Sequence, residues 1–240
     1  MFGSFLELAL ATPDIVASLR FYEQLGYRQL SCTDSWQHPY CALGDGQFII
    51  GLHQRVAPSA ALCFVHAELA RHQSTLSAAG FVPLDAQLAE DRFHHLSLQA
   101  PERHDVALLE ARTYSPADIR ADSSLCGTLL GWSLPTADMD AGAGYWERAG
   151  LVAFGGQELP WPHRPLAGDG LNLALHRPTH LAEPALIYTA ADLPQRIAAL
   201  RSLDLPVAPW SPPGLPAVRG AQLRAPEGTL ILLLPDSDPG

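Results

Sequence analysis

The sequence predicts an α+β fold of four βαβββ modules in two tandem domains, with mixed sheets curved into open cups. Three observations lead there. The phrase GDGQFIIGLH at 44–53 is nearly repeated as GDGLNLALH at 168–176. An offset of 124 places Asp14 on Asp138, Phe21-Tyr22 on Tyr145-Trp146 and Gly26 on Gly150. Each half then divides again: the acids at 14, 68, 138 and 192 are followed twelve residues later by Gly26, Gly80, Gly150 and Asp204.

The elements follow in order. In SFLELALA, Leu6, Leu8 and Leu10 alternate with Phe5, Glu7 and Ala9, the period of a two-faced strand. An acid opens the helix, Ile15, Leu19 and Tyr22 form its apolar stripe, and Gly26 takes the left-handed conformation that ends it. Residues 27–33, 39–43 and 47–53 read as three further strands, with Gly-Asp-Gly as the turn before the last. The later modules repeat this plan: Glu68-Leu69 matches Asp192-Leu193, and Ala100-Pro101-Glu102 matches Ala225-Pro226-Glu227. The domains are therefore 1–112 (modules 1–58 and 59–112) and 125–236 (modules 125–181 and 182–236), joined by a linker at 113–124. One module leaves one sheet face bare, so modules must pair across a concave sheet. The sequence leaves open which modules pair.

Composition narrows function. A chain of 240 residues with 48% hydrophobic and 17% charged residues can bury a core. A net charge of −10 disfavours nucleic acid and anionic membrane surfaces as partners. All 15 basic residues are Arg, which excludes Schiff-base chemistry and a Lys-bearing phosphate loop. No apolar run is long enough to span a bilayer, and MFGSFLELAL lacks the marks of a signal peptide. Cys32, Cys41, Cys63 and Cys126 are scattered, as reduced thiols of a cytoplasmic protein are. No Ser-His-Asp or Cys-His signature stands out, and the glycine turns are too short for a nucleotide fingerprint.

LELALATPDIVASLRFYEQLGY followed by CALGDGQFIIGL resembles the vicinal-oxygen-chelate superfamily. That group includes glyoxalase I, bleomycin-resistance proteins, fosfomycin-resistance enzymes and extradiol dioxygenases. The resemblance spans nearly the whole chain through the second copy and specifies fold better than activity. It implies two glyoxalase-like domains. In metal-dependent members it also implies a His on a module's first strand, seven residues before the opening acid, and a Glu on the paired module's last strand. Here the four first-strand positions hold Glu7, Ala61, Gly131 and Ala185. Among last strands, Glu110 matches the family's acid, whereas Leu232 or Leu234, Ile49 to Leu52, and Leu173 or Ala174 stand elsewhere.

The expected function is accordingly a glyoxalase/bleomycin-resistance-like protein that binds a small apolar or aromatic molecule in a β-cup without metal or other cofactor. The alternative is a metal-dependent lyase, isomerase or extradiol-type dioxygenase using Glu7, Glu110 and His95 on Mn²⁺, Fe²⁺, Ni²⁺ or Zn²⁺. A third is a fold kept for protein association, and the chain is expected as a monomer or homodimer. Glu7, placed on the face of Phe5 and Ala9, and Glu110 are the candidate catalytic carboxylates. Neighbours on a strand face opposite ways, so only one of His94 and His95 enters a cup. His53 and His176 repeat each other, which suggests one structural task. Trp36, Tyr40, Phe93, His95, Trp161 and Trp210 are candidate ligand contacts above the small residues Ala61, Gly131 and Ala185, a roomy apolar pocket.

Overall fold

The computed structural model describes residues 1–31, 36–57, 59–111, 124–215 and 217–236. The first half contains β1 (Ser4–Thr12), α1 (Ile15–Gln24), β2 (Arg28–Leu30), β3 (Tyr40–Gly44), β4 (Ile49–Gln54), β5 (Ser59–His66), α2 (Leu69–Ala78), β6 (Asp85–Gln87), β7 (His95–Ala100) and β8 (His104–Glu110). The second contains β9 (Thr128–Pro135), α3 (Met139–Ala149), β10 (Val152–Ala153), β11 (His163–Gly168), β12 (Leu171–His176), β13 (Ala185–Ala190), α4 (Leu193–Ser202), β14 (Ala208–Trp210), β15 (Gly220–Arg224) and β16 (Leu230–Pro235). Each half closes on a single mixed sheet of eight strands, ordered β2-β3-β4-β1-β5-β8-β7-β6 and β10-β11-β12-β9-β13-β16-β15-β14. The first strands of neighbouring modules, β1 with β5 and β9 with β13, form the antiparallel seam of each sheet. Module 1 therefore pairs with module 2, and module 3 with module 4. Apart from Ser124, the linker expected at 113–124 lies outside the described residues.

The duplicated punctuation has a local cause. Residues 14, 68, 138 and 192 are the four helix N-caps, and Gly26, Gly80, Gly150 and Asp204 all take positive φ just past the helix ends. Only two of the acids cap with their side chains: Asp14 accepts from the Val16 and Ala17 N–H groups, and Asp138 from Asp140 and Ala141. Glu68 instead pairs with Arg71 in solvent, and Asp192 with Arg196.

Leu8, Leu10, Ile50 and Leu52 form the helix-facing side of the first sheet, with Tyr22 and Leu25 packed over them. Trp132, Leu134, Leu173, Leu175 and Trp146 do the same in the second half, and one continuous core joins both. Phe5 corrects the sequence reading of β1. Between Phe5 and Glu7 the register with β5 shifts by one residue at a β-bulge, so Phe5 enters the core beside Phe48 and Phe64 while Glu7 faces the cup. A matching shift on the seam of the second sheet leaves Leu130 half-exposed between Leu129 and Gly131.

The two halves meet through contacts that occur twice, with the roles of the halves exchanged. The Phe2 N–H donates to the Ala149 carbonyl, and the Leu125 N–H to the Leu25 carbonyl, so each half's lead-in strap ties down the other's first helix. The Gly-Asp-Gly turns reach the opposite first strand: Asp169 accepts from Phe5 N–H and Ser4 Oγ, while Gln47 bonds Gly127 and Leu129 and Asp45 accepts from the Tyr188 hydroxyl. The Ala-Pro-Glu turns complete the clasp. Glu227 accepts from Ser18 Oγ at 2.7 Å and Tyr22 hydroxyl at 2.6 Å, and Glu102 accepts from Thr136 Oγ1 and the Ala137 N–H. The repeated phrase thus marks the interface between the halves, where the buried Asp45, Tyr188 and Glu227 find hydrogen-bond partners, whereas the buried Tyr145 hydroxyl has none among the described residues.

Candidate functional site

The face of each sheet turned away from the helices is a cup floor, and strand pairing names its residues. In the first sheet, Glu7, Ala9, Cys63 and Ala61 line the seam, flanked by Gly51 and His53 on β4 and Tyr40 and Ala42 on β3. Glu7 is only 1% exposed and fully engaged: it accepts from the Tyr40 hydroxyl at 2.5 Å and from His53 Nε2 at 2.9 Å. His53 Nδ1 in turn shares a hydrogen with His38 Nε2 at 2.9 Å, and Trp36 stacks its edge against the His53 ring. Burial, then the charges of His53 and Arg55, hold the half-buried His38 imidazole below its ordinary pKa. Cys63 on the same floor is inert, its thiol pushed well up by burial and then by the Glu7 charge. This floor can hold a carboxylate and pass a proton between it and the half-buried imidazole. A Cβ at Gly51 would lie 2.2 Å from the Glu7 carboxylate, so Gly51 leaves the room that this carboxylate fills.

The second cup has the same strands and other contents. Gly131 occupies the place of Glu7 and Ser133 that of Ala9, beside Ala174 and His176 on β12 and His163 and Pro165 on β11. Over this module-3 half lies a cavity of about 300 Å³, at the lower end of ligand-site sizes. Gly131, Ser133, Trp161, Ile187, Leu166 and Ala174 line its depth, while the exposed Leu130 and Phe154 stand at its mouth. His176 is buried below: its Nε2–H donates to the Leu181 carbonyl at 2.8 Å, and its Nδ1 meets Ser133 Oγ at 2.7 Å. Burial lowers its pKa to about 4, so the ring is neutral.

The structure distributes the residues expected from sequence unevenly. Trp36 and Tyr40 gather at Glu7, and Gly131 and Trp161 line the second cavity. Ala61 lies on the first cup floor opposite Asp105. Phe93 is exposed in the loop before β7. His95 does face the cup side, bonded to Asp85 at the sheet's far end, three strands from Glu7. Ala185 does not open a pocket. Its half of the second cup is filled by Trp161, Leu181, Ile187, Leu230, Leu232 and Leu234, with Trp210 packed on them 5.6 Å from the Trp161 ring. Trp161 and Trp210 plug module 4, and Trp161 also walls the module-3 cavity, which corrects the reading of Trp210 as a ligand contact above an open pocket.

Glu110 also departs from expectation. It continues the core face of Val106 and Leu108 and accepts from His94 Nδ1 at 2.9 Å and the Ala70 N–H, on the helix side of the sheet. The His94 hydrogen bond holds its pKa below the usual range. Because β7 pairs His95 with Leu109, His95 and Glu110 point to opposite faces. Glu7, Glu110 and His95 therefore cannot share an ion. Among the described residues no three His, Cys, Asp or Glu side chains converge on one, and the second cup offers Gly131, Ala185 and leucines where ligands would stand. In the first cup Glu7, His53 and His38 bond one another in a chain and do not converge on a common point, so the donor set does not fit a site of two imidazoles and a carboxylate.

Sequence reasoning missed two groups. The partners of Glu7, His53 and His38, were not assigned to it, although strand parity places His53 on the floor once the parallel pairing of β1 with β4 is known. Ser133 and His163 were missed because nothing local marks a serine, or a histidine in a Pro-rich stretch, as cavity-lining.

No family model matches the sequence, and no curated protein matches it either. Solved structures do. A catechol 2,3-dioxygenase is similar with a TM-score of 0.55 at 15% identity, covering 98% of this chain and 93% of that one. A 2,2',3-trihydroxybiphenyl 1,2-dioxygenase from Sphingomonas wittichii strain RW1 gives 0.59 at 16% identity, over 98% and 90%. An extradiol ring-cleaving dioxygenase from B. fuscum gives 0.62 at 15% identity, over 99% and 74%. At these identities the likeness is one of fold. Among the described residues no helix is long and apolar enough to cross a membrane.

Proposed function

We propose that this chain, which has the two-domain fold of the vicinal-oxygen-chelate superfamily, binds a small aromatic or apolar molecule in the module-3 half of its second cup, without a metal. The cavity over Gly131 and Ser133 carries this reading. It has apolar and aromatic walls, a few polar groups and a mouth, the usual make-up of a small-molecule site. Gly131 supports it further: its φ of +144° and the Asn172 carbonyl oxygen 2.4 Å from where a Cβ would sit keep that floor position bare. The similar ring-cleaving dioxygenases raise a metal-dependent alternative, but the cup donors described above give it no ligand set.

Titration with naphthalene, followed by chemical-shift perturbation of the Trp indole N–H signals, tests the reading. Saturable binding that Ala174→Phe abolishes is expected, because that side chain would fill the cavity. Absence of saturable shifts at the solubility limit would overturn it. Elemental analysis after incubation with Mn²⁺, Fe²⁺, Ni²⁺ and Zn²⁺ tests the metal-free part, and stoichiometric retention of any of them would sink it.

A further inference from the structure

Two polar side chains of the second cavity, Ser133 and His163, are fixed in their hydrogen-bonding roles by backbone carbonyls that can only accept, while the other polar side chains lining it, the Gln157 and Asn172 amides, are exposed. Leu181 carbonyl takes the Nε2–H of His176, so Nδ1 of the neutral ring holds a lone pair. Ser133 Oγ, 2.7 Å away, must therefore spend its only hydrogen on that lone pair. What remains on Ser133 is acceptor capacity alone. His163 repeats the logic from the facing strand: its Nδ1–H goes to the Trp161 carbonyl at 2.8 Å, so a ring bearing one hydrogen offers Nε2 as an acceptor. Both residues line the cavity, and none of the residues lining it is Arg, Asp or Glu. A carboxylate entering would meet lone pairs with no cation to offset them. A wholly apolar guest would leave the acceptors dry, which costs binding energy.

We infer that this cavity selects neutral aromatic molecules carrying an O–H or N–H donor, received by the lone pairs left on Ser133 Oγ and His163 Nε2. This rests on the small-molecule reading of the cavity and adds the chemical class of its guest. His176 is then a positioning residue, which acts by holding the Ser133 hydroxyl in one orientation.

The test uses matched probes that differ by one proton: indole against 1-methylindole, and phenol against anisole, with toluene as the apolar reference and benzoate as the anion. Affinities are measured on the full chain at pH 8 by isothermal titration. Each donor probe is expected to bind about tenfold tighter than its methylated partner, one buried hydrogen bond's worth, with benzoate weakest. Ser133→Ala should bring each pair to within about twofold, and Ser133→Thr should restore the difference. Equal affinity within both pairs for the unaltered protein overturns the inference and leaves the cavity reading standing, as does benzoate binding tightest. No binding by any neutral probe overturns both. The unaltered protein alone decides these outcomes should Ser133→Ala fail to fold.

Discussion

At equivalent places on their first strands the first cup carries Glu7 and the second carries Gly131, and almost every other difference between the cups follows from that pair. Around Glu7 the chain has assembled a Tyr hydroxyl, an imidazole and a second imidazole behind it, because a buried carboxylate must be compensated. Around Gly131 nothing needs compensating, and space remains. The histidine repeated between the halves shows the divergence most clearly. His53 faces a carboxylate, while His176 faces a hydroxyl and a backbone carbonyl. One scaffold position serves a charged network in one half and sets a neutral anchor in the other.

The largest expected effect comes from breaking the charged network. His53→Ala leaves Glu7 buried with Tyr40 as its remaining described partner and should cost about 3–5 kcal/mol in urea unfolding. Ser133→Ala, which breaks the neutral pair of the other cup, should cost about 1 kcal/mol. Equal losses for the two would mean that the cups do not differ in the way their contents suggest.

Glycine replacement comes next. Gly131→Ala places a Cβ against the Asn172 carbonyl at a left-handed φ and should cost about 2–4 kcal/mol, with loss of aromatic binding. Gly51→Ala would drive the buried Glu7 carboxylate off Tyr40 and His53 and should cost at least as much. A Gly131→Ala protein with unchanged denaturation midpoint would remove the physical account of the open floor.

Acid sharpens the comparison of the two histidines. His176 has a folded pKa of about 4 against an ordinary 6.5, so the unfolded chain binds more protons between those values. Its stabilisation is complete above pH 6.5 and is lost as pH falls through 6.5 towards 4. Between pH 6.5 and 5.5 this group alone should remove roughly 1 kcal/mol. His38 and His66, also lowered, act in the same direction. Unfolding free energies at the two pH values should show a smaller drop for His176→Gln than for the unaltered protein, and an undiminished drop would contradict the assignment.

The smallest effect separates acids that look alike in the sequence. Asp14→Ala should cost about 0.5–1 kcal/mol, since its side chain caps α1. Glu68→Ala should leave the melting temperature nearly unchanged, since its carboxylate pairs with Arg71 in solvent and caps nothing. A thermal melt of each distinguishes them.

The sequence by itself determined the modules, because their signals are local. An acid at the N-cap, a residue with positive φ past the helix end and alternation along a strand are all written within a few neighbouring positions. It also showed that metal-ligand types are missing from three of the four first-strand positions, which is a matter of residue identity. Tertiary structure decided everything that depends on parity or on distant partners. The bulge after Phe5 moved one aromatic ring from cup to core, and the register of β7 on β8 set His95 and Glu110 on opposite faces. The fill of the module-4 half by Trp161 and Trp210, and the clasp of Glu102 and Glu227 on the opposite domain, join residues far apart in the chain. Side-chain direction in a sheet reverses with each residue, so a shift of one position reassigns a whole face, and only the assembled strands fix that shift.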